Sequence, residues 1–155
     1  MRHVPLNDFF NATHANWYGT SALAVSGNNG RTVFMAVGAY PSLGPGSIWR
    51  SDNGGGSFEM ITPPTWGVPL FANSSPRRGS GERLAVHQRN DSVVLFGSFR
   101  SGLWRTADGG ATWTNSTPPG FPGATEMGAL CLLAMPSRTA PPGTEDTILA
   151  AVHSE

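Results

Sequence analysis

Short apolar runs separated by glycine-rich and polar turns recur along this chain. Runs of this length, bounded by Gly, Pro, Asn and Ser, are typical of β-strands, and no stretch keeps the 3.6-residue period of an amphipathic helix for long. The pattern therefore predicts an all-β fold. The runs come in pairs, at residues 23–25 and 33–37, 84–86 and 93–96, and 133–135 and 148–152.

A repeated octapeptide follows each of the first two pairs. Residues 51–58 and 106–113 both read hydroxyl, any residue, Asp or Asn, any residue, Gly, any residue, hydroxyl, aromatic. Each copy follows a matching tripeptide, Ile-Trp-Arg at 48–50 and Leu-Trp-Arg at 103–105. The two copies are about fifty residues apart, which is the spacing of four-stranded units in β-propellers.

The repeat predicts a single domain over residues 1–155 that forms a partial β-propeller. We expect two four-stranded blades, at about residues 17–61 and 80–115, and part of a third at 128–155. A propeller removes its open sheet edges by closing a ring, so further blades are needed for closure. An isolated set of two blades and part of a third leaves strand edges and apolar faces uncovered.

The octapeptide is the pattern known as the Asp-box, and its residue types suit a turn. Asn-Gly and Asp-Gly are strong signals for a two-residue hairpin, because glycine accepts positive φ and an Asx side chain bonds nearby amides. We expect the hydroxyls to tie the ends of the turn and the aromatic residue to lie beneath it. Carboxylates used in this way are structural rather than catalytic. The box residues are Ser51, Asn53, Gly55, Ser57 and Phe58, then Thr106, Asp108, Gly110, Thr112 and Trp113.

The composition excludes several classes of partner. Lys plus Arg and Asp plus Glu both number 10, and every basic residue is arginine, so no lysine-rich stripe exists to follow a nucleic-acid backbone. The single Cys131 lies in an apolar run and leaves no disulfide framework. The four histidines, His3, His14, His87 and His153, lack ligand spacing. We expect no metal, no cofactor and no nucleic acid.

Glycosylation sequons favour a secreted parent protein, although no targeting signal is visible in the first residues. The first residues carry no apolar stretch of the length of a secretory signal, and no run approaches a membrane span, so no membrane partner is expected. Four Asn-x-Ser/Thr sequons, at Asn11, Asn73, Asn90 and Asn115, exceed the one or two expected from composition. This excess favours an extracellular location for the parent.

Residues 77–86, leading into 92–97 and 101–105, closely resemble glycoside hydrolase family 74. That family comprises xyloglucanases and oligoxyloglucan reducing-end-specific cellobiohydrolases. Its Gly-Arg-Gly-Met-Gly-Glu-Arg-Leu-Ala stretch precedes a strand ending in Tyr-Phe-Gly and a Gly-Leu-Trp-Lys-Ser run that enters the Asp-box. Here Arg77 and Ser80 stand at the first and fourth positions of that stretch.

The resemblance extends over nearly the whole chain. Residues 17–24 and 36–40 are similar to strands of the first blade of that family, and the segment from Gly128 is similar to a later strand pair. The resemblance implies two seven-bladed propellers facing across a cleft, of which this chain would be a fragment of the first. It also implies inverting hydrolysis of the β-1,4-glucan backbone of xyloglucan.

Inverting hydrolysis requires a carboxylic acid at the leaving oxygen and a carboxylate that activates water. The family takes one aspartate from each propeller, and the first lies in a stretch that precedes the Pro-Leu-x-Asp phrase carried here at residues 5–8. Neither catalytic aspartate therefore maps onto a numbered residue, and Asp8 is expected to be a solvated loop carboxylate. We assign no catalytic residue and expect this chain alone to lack hydrolase activity.

Substrate contacts are expected in loops, because propellers bind through loops on one face and sugars stack on aromatic planes. The alternative explanation for the candidate residues named below needs no ligand: the aromatic residues pack within their loops, and an arginine–carboxylate pair fixes the shape of one loop. Trp49 and Trp104 hold one position in both repeats, which predicts that they are core or blade-packing residues. The candidate substrate-binding residues are Tyr40, Trp66, Arg78 and Glu82.

The alternative is a noncatalytic Asp-box propeller, such as a sortilin-like receptor domain, that binds a protein or peptide. Every Asp-box class shares the boxes, whereas the Arg-Gly-Ser-Gly-Glu-Arg-Leu loop at residues 78–84 is specific to the xyloglucanases. A sialidase is a weaker alternative, because its Arg-Ile-Pro phrase is missing. The sequence therefore favours a fragment of a xyloglucan-degrading enzyme.

Overall fold

The structure is a computed structural model that describes residues 18–39, 47–61, 83–98, 102–119, 128–135 and 147–153. These residues form ten strands and no helix. The strands are β1 (Tyr18–Val25), β2 (Val33–Ala39), β3 (Ser47–Ser51), β4 (Glu59–Met60), β5 (Arg83–Val86), β6 (Val94–Ser98), β7 (Gly102–Thr106), β8 (Thr114–Asn115), β9 (Gly128–Met135) and β10 (Thr147–His153).

The strands form three antiparallel sheets in chain order. Strands β1–β4 make one four-stranded sheet, here called blade 1, and β5–β8 make a second, blade 2. Strands β9 and β10 pair with each other as the third sheet. The prediction of an all-β partial propeller, with two four-stranded blades and part of a third, is confirmed.

Blades 1 and 2 share one register at the Asp-box. Val33 of β2 pairs with Ser51, the first residue of the first box, and Val94 of β6 pairs with Thr106, the first residue of the second. The tripeptide before each box therefore occupies the same place in each sheet. The repeat seen in the sequence is a repeat of strand pairing.

The main core lies between blades 1 and 2. Phe34, Ala36 and Ile48 from one face of blade 1 cluster with buried residues of blade 2. Those partners are Leu84, Val94 and Phe96, with the partly buried Trp104 and Trp113 beside them. Burying this apolar surface drives the two sheets together, at about 25 cal/mol for each Å² removed from water.

Different faces of the two blades meet in this core. Directly paired residues of neighbouring antiparallel strands project to the same face of a sheet. Phe96 pairs with Trp104, and the equivalent pair in blade 1 is Met35 with Trp49, which lies on the face opposite to Phe34. The face of blade 1 that carries Phe34 therefore meets the non-equivalent face of blade 2, which carries Phe96 and Trp104, so the blades stack head to tail. Strand β5 contacts β1 and β2, and β9 contacts β5 and β6 in the same order.

A second, smaller cluster lies on the other face of blade 1. It contains Met35, Val37 and Trp49, and the partly buried Phe58 packs against it. Trp49 is 3% exposed, while Trp104 is partly buried against the main core. The prediction that these two tryptophans are core or blade-packing residues is confirmed, with Trp49 in the smaller cluster of blade 1 and Trp104 at the contact between the blades.

Candidate functional site

The second Asp-box is held by hydrogen bonds that converge on Asp108. Thr106 Oγ1 donates to Asp108 Oδ1 at 2.7 Å and accepts the amide of Gly110 at 2.9 Å. Thr112 donates from its amide to Oδ1 at 2.9 Å and from Oγ1 to Oδ2 at 2.5 Å. Both carboxylate oxygens and both hydroxyls of the box are thus engaged within the loop itself.

The first Asp-box has the same arrangement with an amide in place of the carboxylate. Ser51 Oγ donates to Asn53 Oδ1 at 2.9 Å and accepts the amide of Gly55 at 2.9 Å. The amide of Ser57 donates to Asn53 Oδ1 at 2.9 Å. The last bond is reversed, because Asn53 Nδ2 donates to Ser57 Oγ at 2.8 Å. An amide therefore preserves the loop without any proton-transfer capacity at neutral pH.

The box loops are longer than the Asx-Gly signal predicted. Residues 52–58 join β3 to β4, and 107–113 join β7 to β8, so neither is a two-residue hairpin. The side-chain bonds from Asn53 to Ser57 and from Asp108 to Thr112 span four residues and hold the wider loop. Positive φ angles fall on two consecutive glycines in each, Gly54 and Gly55, then Gly109 and Gly110.

The aromatic residue that ends each box packs beneath the loop. Trp113 donates from Nε1 to the carbonyl of Gly110 at 3.2 Å and packs against the main core. Phe58 joins the smaller cluster of blade 1. These contacts attach each loop to its own sheet.

The electrostatics of Asp108 suit an acceptor and not a general acid. The side-chain hydrogen bond from Thr112, the amide of Thr112 and the hydroxyl of Thr106 together hold its pKa far below the ordinary range of an aspartate. Desolvation opposes this shift but is the smaller effect. The group stays ionised in the folded state, so it has no proton to give a leaving oxygen.

The predicted substrate residues belong to two connections between strands. Ala39, Ser47 and Arg83 lie at strand ends away from the box of their own blade, as the pairing of β2, β3 and β5 shows. The connection from 39 to 47 contains Tyr40, and that from 61 to 83 contains the other three candidates. Tyr40, Trp66, Arg78 and Glu82 themselves lie outside the described residues.

A polar contact between the blades was not apparent from the sequence. Ser26 Oγ donates to one carboxylate oxygen of Asp91, and Asn29 Nδ2 donates to the other. Ser26 and Asn29 lie in the β1–β2 turn of blade 1, and Asp91 lies in the β5–β6 turn of blade 2. Their composition indicates turns, but a single sequence carries no signal of which turn faces which.

Within the described ranges, no group of three or more His, Cys, Asp and Glu residues is placed to hold a metal ion. In the same part of the chain, no helix has the length and apolar character needed to cross a membrane. The chemistry described so far is that of hydrogen-bonded loops and stacked sheets.

The sheets, their stacking and the two boxes define this chain as a set of Asp-box propeller blades. No protein-family model matches the chain. It is 34% identical over 124 residues to a xyloglucanase of Paenibacillus sp, with 77% of this chain and 12% of that protein covered. It is 31% identical over 125 residues to an oligoxyloglucan-reducing end-specific xyloglucanase of Emericella nidulans, with 81% and 15% covered.

A solved structure is similar in both fold and sequence. The crystal structure of the xyloglucanase from glycoside hydrolase family 74 of Xanthomonas campestris matches with a TM-score of 0.60 and 34% identity, over 74% of this chain and 16% of that one. The chain belongs to glycoside hydrolase family 74, so the resemblance predicted from the sequence is confirmed. It spans 12% and 15% of the lengths of the two relatives named above.

Proposed function

We propose that the full-length protein containing this chain is an extracellular glycoside hydrolase that cuts the β-1,4-glucan backbone of xyloglucan with inversion. The observation that carries the proposal is the 34% identity with a xyloglucanase over 77% of this chain. The head-to-tail stacking of Asp-box sheets supports it, since this is the arrangement of propeller blades. Within that enzyme the chain supplies part of one propeller.

The catalytic acid and base come from elsewhere in the full-length protein. Inversion requires one protonated carboxyl group and one carboxylate on opposite sides of the scissile bond. Asp108 is ionised, and its carboxylate is bound within its own loop. This chain therefore contributes framework and substrate contacts to the reaction, and no proton transfer.

The substrate contacts proposed for this chain belong to the connections between β2 and β3 and between β4 and β5. Tyr40 and Trp66 would offer aromatic planes to the apolar faces of glucose units. Arg78 and Glu82 would hydrogen-bond sugar hydroxyls or hold the loop that does so. The connection between β2 and β3, which contains Tyr40, is longer in blade 1 than the equivalent connection in blade 2.

The test is hydrolysis by the full-length protein. Purified xyloglucan, unsubstituted cellulose and mixed-linkage β-glucan are incubated with it, and the anomeric form of the first product is followed by NMR. We expect cleavage of xyloglucan with initial release of the inverted anomer, and none by this chain alone. Binding of xyloglucan without hydrolysis would instead support a noncatalytic Asp-box module, and a retained anomer would contradict the two-carboxylate inverting mechanism.

The proposed contacts are tested in the same full-length enzyme. Tyr40→Ala and Trp66→Ala remove the aromatic planes, whereas Tyr40→Phe and Trp66→Phe keep them, and the second pair is the matched control. We expect the alanine variants to raise KM for xyloglucan, with the phenylalanine variants close to wild type. Equal effects in both pairs, or unchanged KM in the alanine variants with the fold intact, would remove these residues from the substrate site.

Closure of the propeller is part of this proposal. Further blades of the full-length protein would cover the free faces at the ends of the stack formed by the three described sheets. Those blades also determine whether the cleft admits the middle of a glucan chain or only its end, so the position of cleavage is a property of the full-length enzyme.

A further inference from the structure

Two of the four glycosylation sequons lie among the described residues, one starting at Asn90 and one at Asn115. The sequons at Asn11 and Asn73 lie outside them. Asn90 lies in the turn between β5 and β6, and Asn115 is the last residue of β8. N-linked sugars are bulky and hydrophilic, so an asparagine that carries one must face solvent in the folded protein. The surroundings of these two asparagines therefore decide which of them suits a sugar chain.

Asn115 lies on the outer edge of blade 2. Strand β8 ends the order of strands in this sheet, where it pairs with β7, and the side chain of Asn115 is exposed. The two residues that complete the sequon are held by β7. The amide of Ser116 donates to the carbonyl of Leu103 at 2.8 Å, and Thr117 Oγ1 accepts the amide of Leu103 at 2.9 Å. The sequon thus has a defined place on the sheet with its asparagine at the surface.

The local turn at Asn115 is compatible with a modified side chain. Asn115 Oδ1 accepts the amide of Thr117 at 2.9 Å. Attachment of a sugar replaces one hydrogen of Nδ2 and leaves Oδ1 as an acceptor. The turn at residues 115–117 therefore keeps this bond after glycosylation.

The fold of the blade does not require an asparagine at this position. Asn115 pairs with Trp104, and the equivalent pair in blade 1 is Met60 with Trp49. Met60 has no amide group, yet β4 has the same length and register as β8. Met60 is 50% exposed, so the position faces solvent in both blades. Strand pairing alone does not explain why blade 2 carries a sequon there.

Trp104 provides an aromatic surface beside Asn115. Directly paired residues of antiparallel strands project to the same face, with their Cβ atoms about 4.5–5.5 Å apart. Trp104 is half-buried, because one part of its ring system packs on the main core and the rest is left at the surface. The apolar face of a sugar ring packs well on such an aromatic plane. The first sugar on Asn115 therefore has a surface to cover.

Asn90 offers a poorer position for a sugar chain. Its side chain is half-buried, although its Oδ1 accepts the amide of Ser92 at 3.0 Å in the same kind of local turn. The next residue, Asp91, accepts hydrogen bonds from Ser26 and Asn29 of blade 1. A sugar chain on Asn90 would thus start beside the contact between the two blades.

On the basis of the extracellular location proposed above, we propose that Asn115 carries an N-linked sugar chain whose first N-acetylglucosamine covers the exposed part of Trp104. The donor is an oligosaccharide joined to a lipid diphosphate. Nδ2 of Asn115 forms a bond to the anomeric carbon of the first sugar, and the bond from that carbon to the diphosphate oxygen breaks. The lipid diphosphate leaves and Nδ2 loses one proton, so the transfer needs no oxidant or reductant.

The test uses the full-length protein, secreted by a eukaryotic host that adds N-linked sugars. The purified protein is treated with peptide-N-glycosidase in water enriched in heavy oxygen, which leaves a labelled aspartate wherever an asparagine carried sugar. Trypsin cuts after Arg89, Arg100 and Arg105, so Asn90 and Asn115 fall in different peptides. Mass spectrometry of these peptides gives the labelled fraction at each position.

We expect label at Asn115, in a larger fraction of molecules than at Asn90. The variant Thr117→Ser keeps the sequon and its hydroxyl and should keep the label, whereas Thr117→Val should lose it. Absence of label at Asn115, or a fraction no larger than that at Asn90, would overturn the proposal. Hydrolysis is not measured and the host supplies the route of secretion, so failure here leaves the proposed activity and location to their own tests.

The contact with Trp104 is tested by radical oxidation of tryptophan side chains in the same glycoprotein. The reference is Asn115→Gln, which keeps an amide group and carries no sugar. The tryptic peptide of residues 101–105 contains Trp104 and no other tryptophan. We expect less oxidation of Trp104 in the wild type than in the variant, while Trp49, which is 3% exposed, stays equally protected in both. Equal oxidation of Trp104 in the two proteins would overturn the contact between the sugar and the ring.

Discussion

Thr112 donates two hydrogen bonds to Asp108, one from its hydroxyl to Oδ2 at 2.5 Å and one from its amide to Oδ1 at 2.9 Å. Both bonds favour the ionised carboxylate, and they are the two largest causes of its lowered pKa. The fold of this loop is therefore linked to the charge on one side chain. In the first box, Asn53 makes the equivalent bonds without a charge.

Acid should weaken the second box through this linkage. The pKa of Asp108 is lower in the folded state than in the unfolded state. Its ionised carboxylate therefore adds its full contribution to the free energy of unfolding above the unfolded pKa of about 4, and this contribution declines as the pH falls toward the folded pKa. We expect the free energy of unfolding of the wild type to fall on acidification more steeply than that of Asp108→Asn. Urea titrations from about pH 6 to 2 measure the difference.

The reciprocal substitution in the first box is the control. Asn53→Asp restores the carboxylate, and Ser57 Oγ can then donate to it as Thr112 does to Asp108. This variant should gain the steeper acid dependence that Asp108→Asn loses, with a stability near wild type at neutral pH. Parallel pH profiles for the wild type and both variants would contradict the linkage between box and charge.

The contact between blades 1 and 2 should depend most on the buried phenylalanines. Phe34 is fully buried between the sheets, so Phe34→Ala should cost about 3–5 kcal/mol in the free energy of unfolding from lost transfer energy and a cavity. Leu23→Ala is the matched control, since Leu23 is exposed on the opposite face and should change stability by about 0.5 kcal/mol or less. Denaturant unfolding measures both. Similar losses in the two variants would mean that this core does not hold the blades together.

The polar contact at Asp91 should act as a second link between the same blades. Asp91→Ala leaves Ser26 and Asn29 of blade 1 without their carboxylate acceptor, at a cost of about 1–3 kcal/mol. A double-mutant cycle with Ser26→Ala isolates the pair, and we expect a coupling of about 0.5–3 kcal/mol. Additive costs would show that the two side chains act independently in solution.

The features that could be predicted from the sequence are those set by residues close to each other in the chain. The strand pairs and both boxes were readable because hydrophobic runs, glycines and Asx residues act within about ten residues of themselves. The length of the box loops could not be predicted, because the same Asn-Gly or Asp-Gly pair occurs in two-residue hairpins and in the seven-residue loops seen here. The family was readable from the Arg78–Leu84 loop, whose residues match a pattern found beyond the Asp-box itself.

Contacts between blades could not be predicted in the same way. Arg50 reaches Gly109, and Ser26 reaches Asp91, across sequence separations that no local pattern encodes. The repeat also does not predict the head-to-tail packing. Phe34 and Leu95 hold equivalent positions in β2 and β6, but their side chains meet different neighbours. The substrate contacts at Tyr40, Trp66, Arg78 and Glu82 stay predictions, because these residues lie outside the described ones.

Gly102 at the start of β7 should resist replacement by any residue with a Cβ. Its φ is +81°, and an added Cβ would overlap Oγ1 of Thr117, which accepts the amide of Leu103 at 2.9 Å. Gly102→Ala therefore meets backbone strain and a clash with a bonded hydroxyl, and should cost more than the roughly 1–3 kcal/mol of strained φ alone. Gly30→Ala is the control, because Gly30 has a φ of +64° with nothing within 4 Å.

The two causes at Gly102 can be separated by relieving the clash. In the double variant Gly102→Ala, Thr117→Ala, the overlap is gone while the strained φ and the lost acceptor for Leu103 remain. Its cost should be smaller than the sum of the two single substitutions, because the first no longer meets Oγ1. Thermal or urea unfolding of the four proteins measures this. A fully additive result, or a Gly102→Ala cost no larger than that of Gly30→Ala, would mean that Thr117 moves aside freely and that φ alone selects glycine at this position.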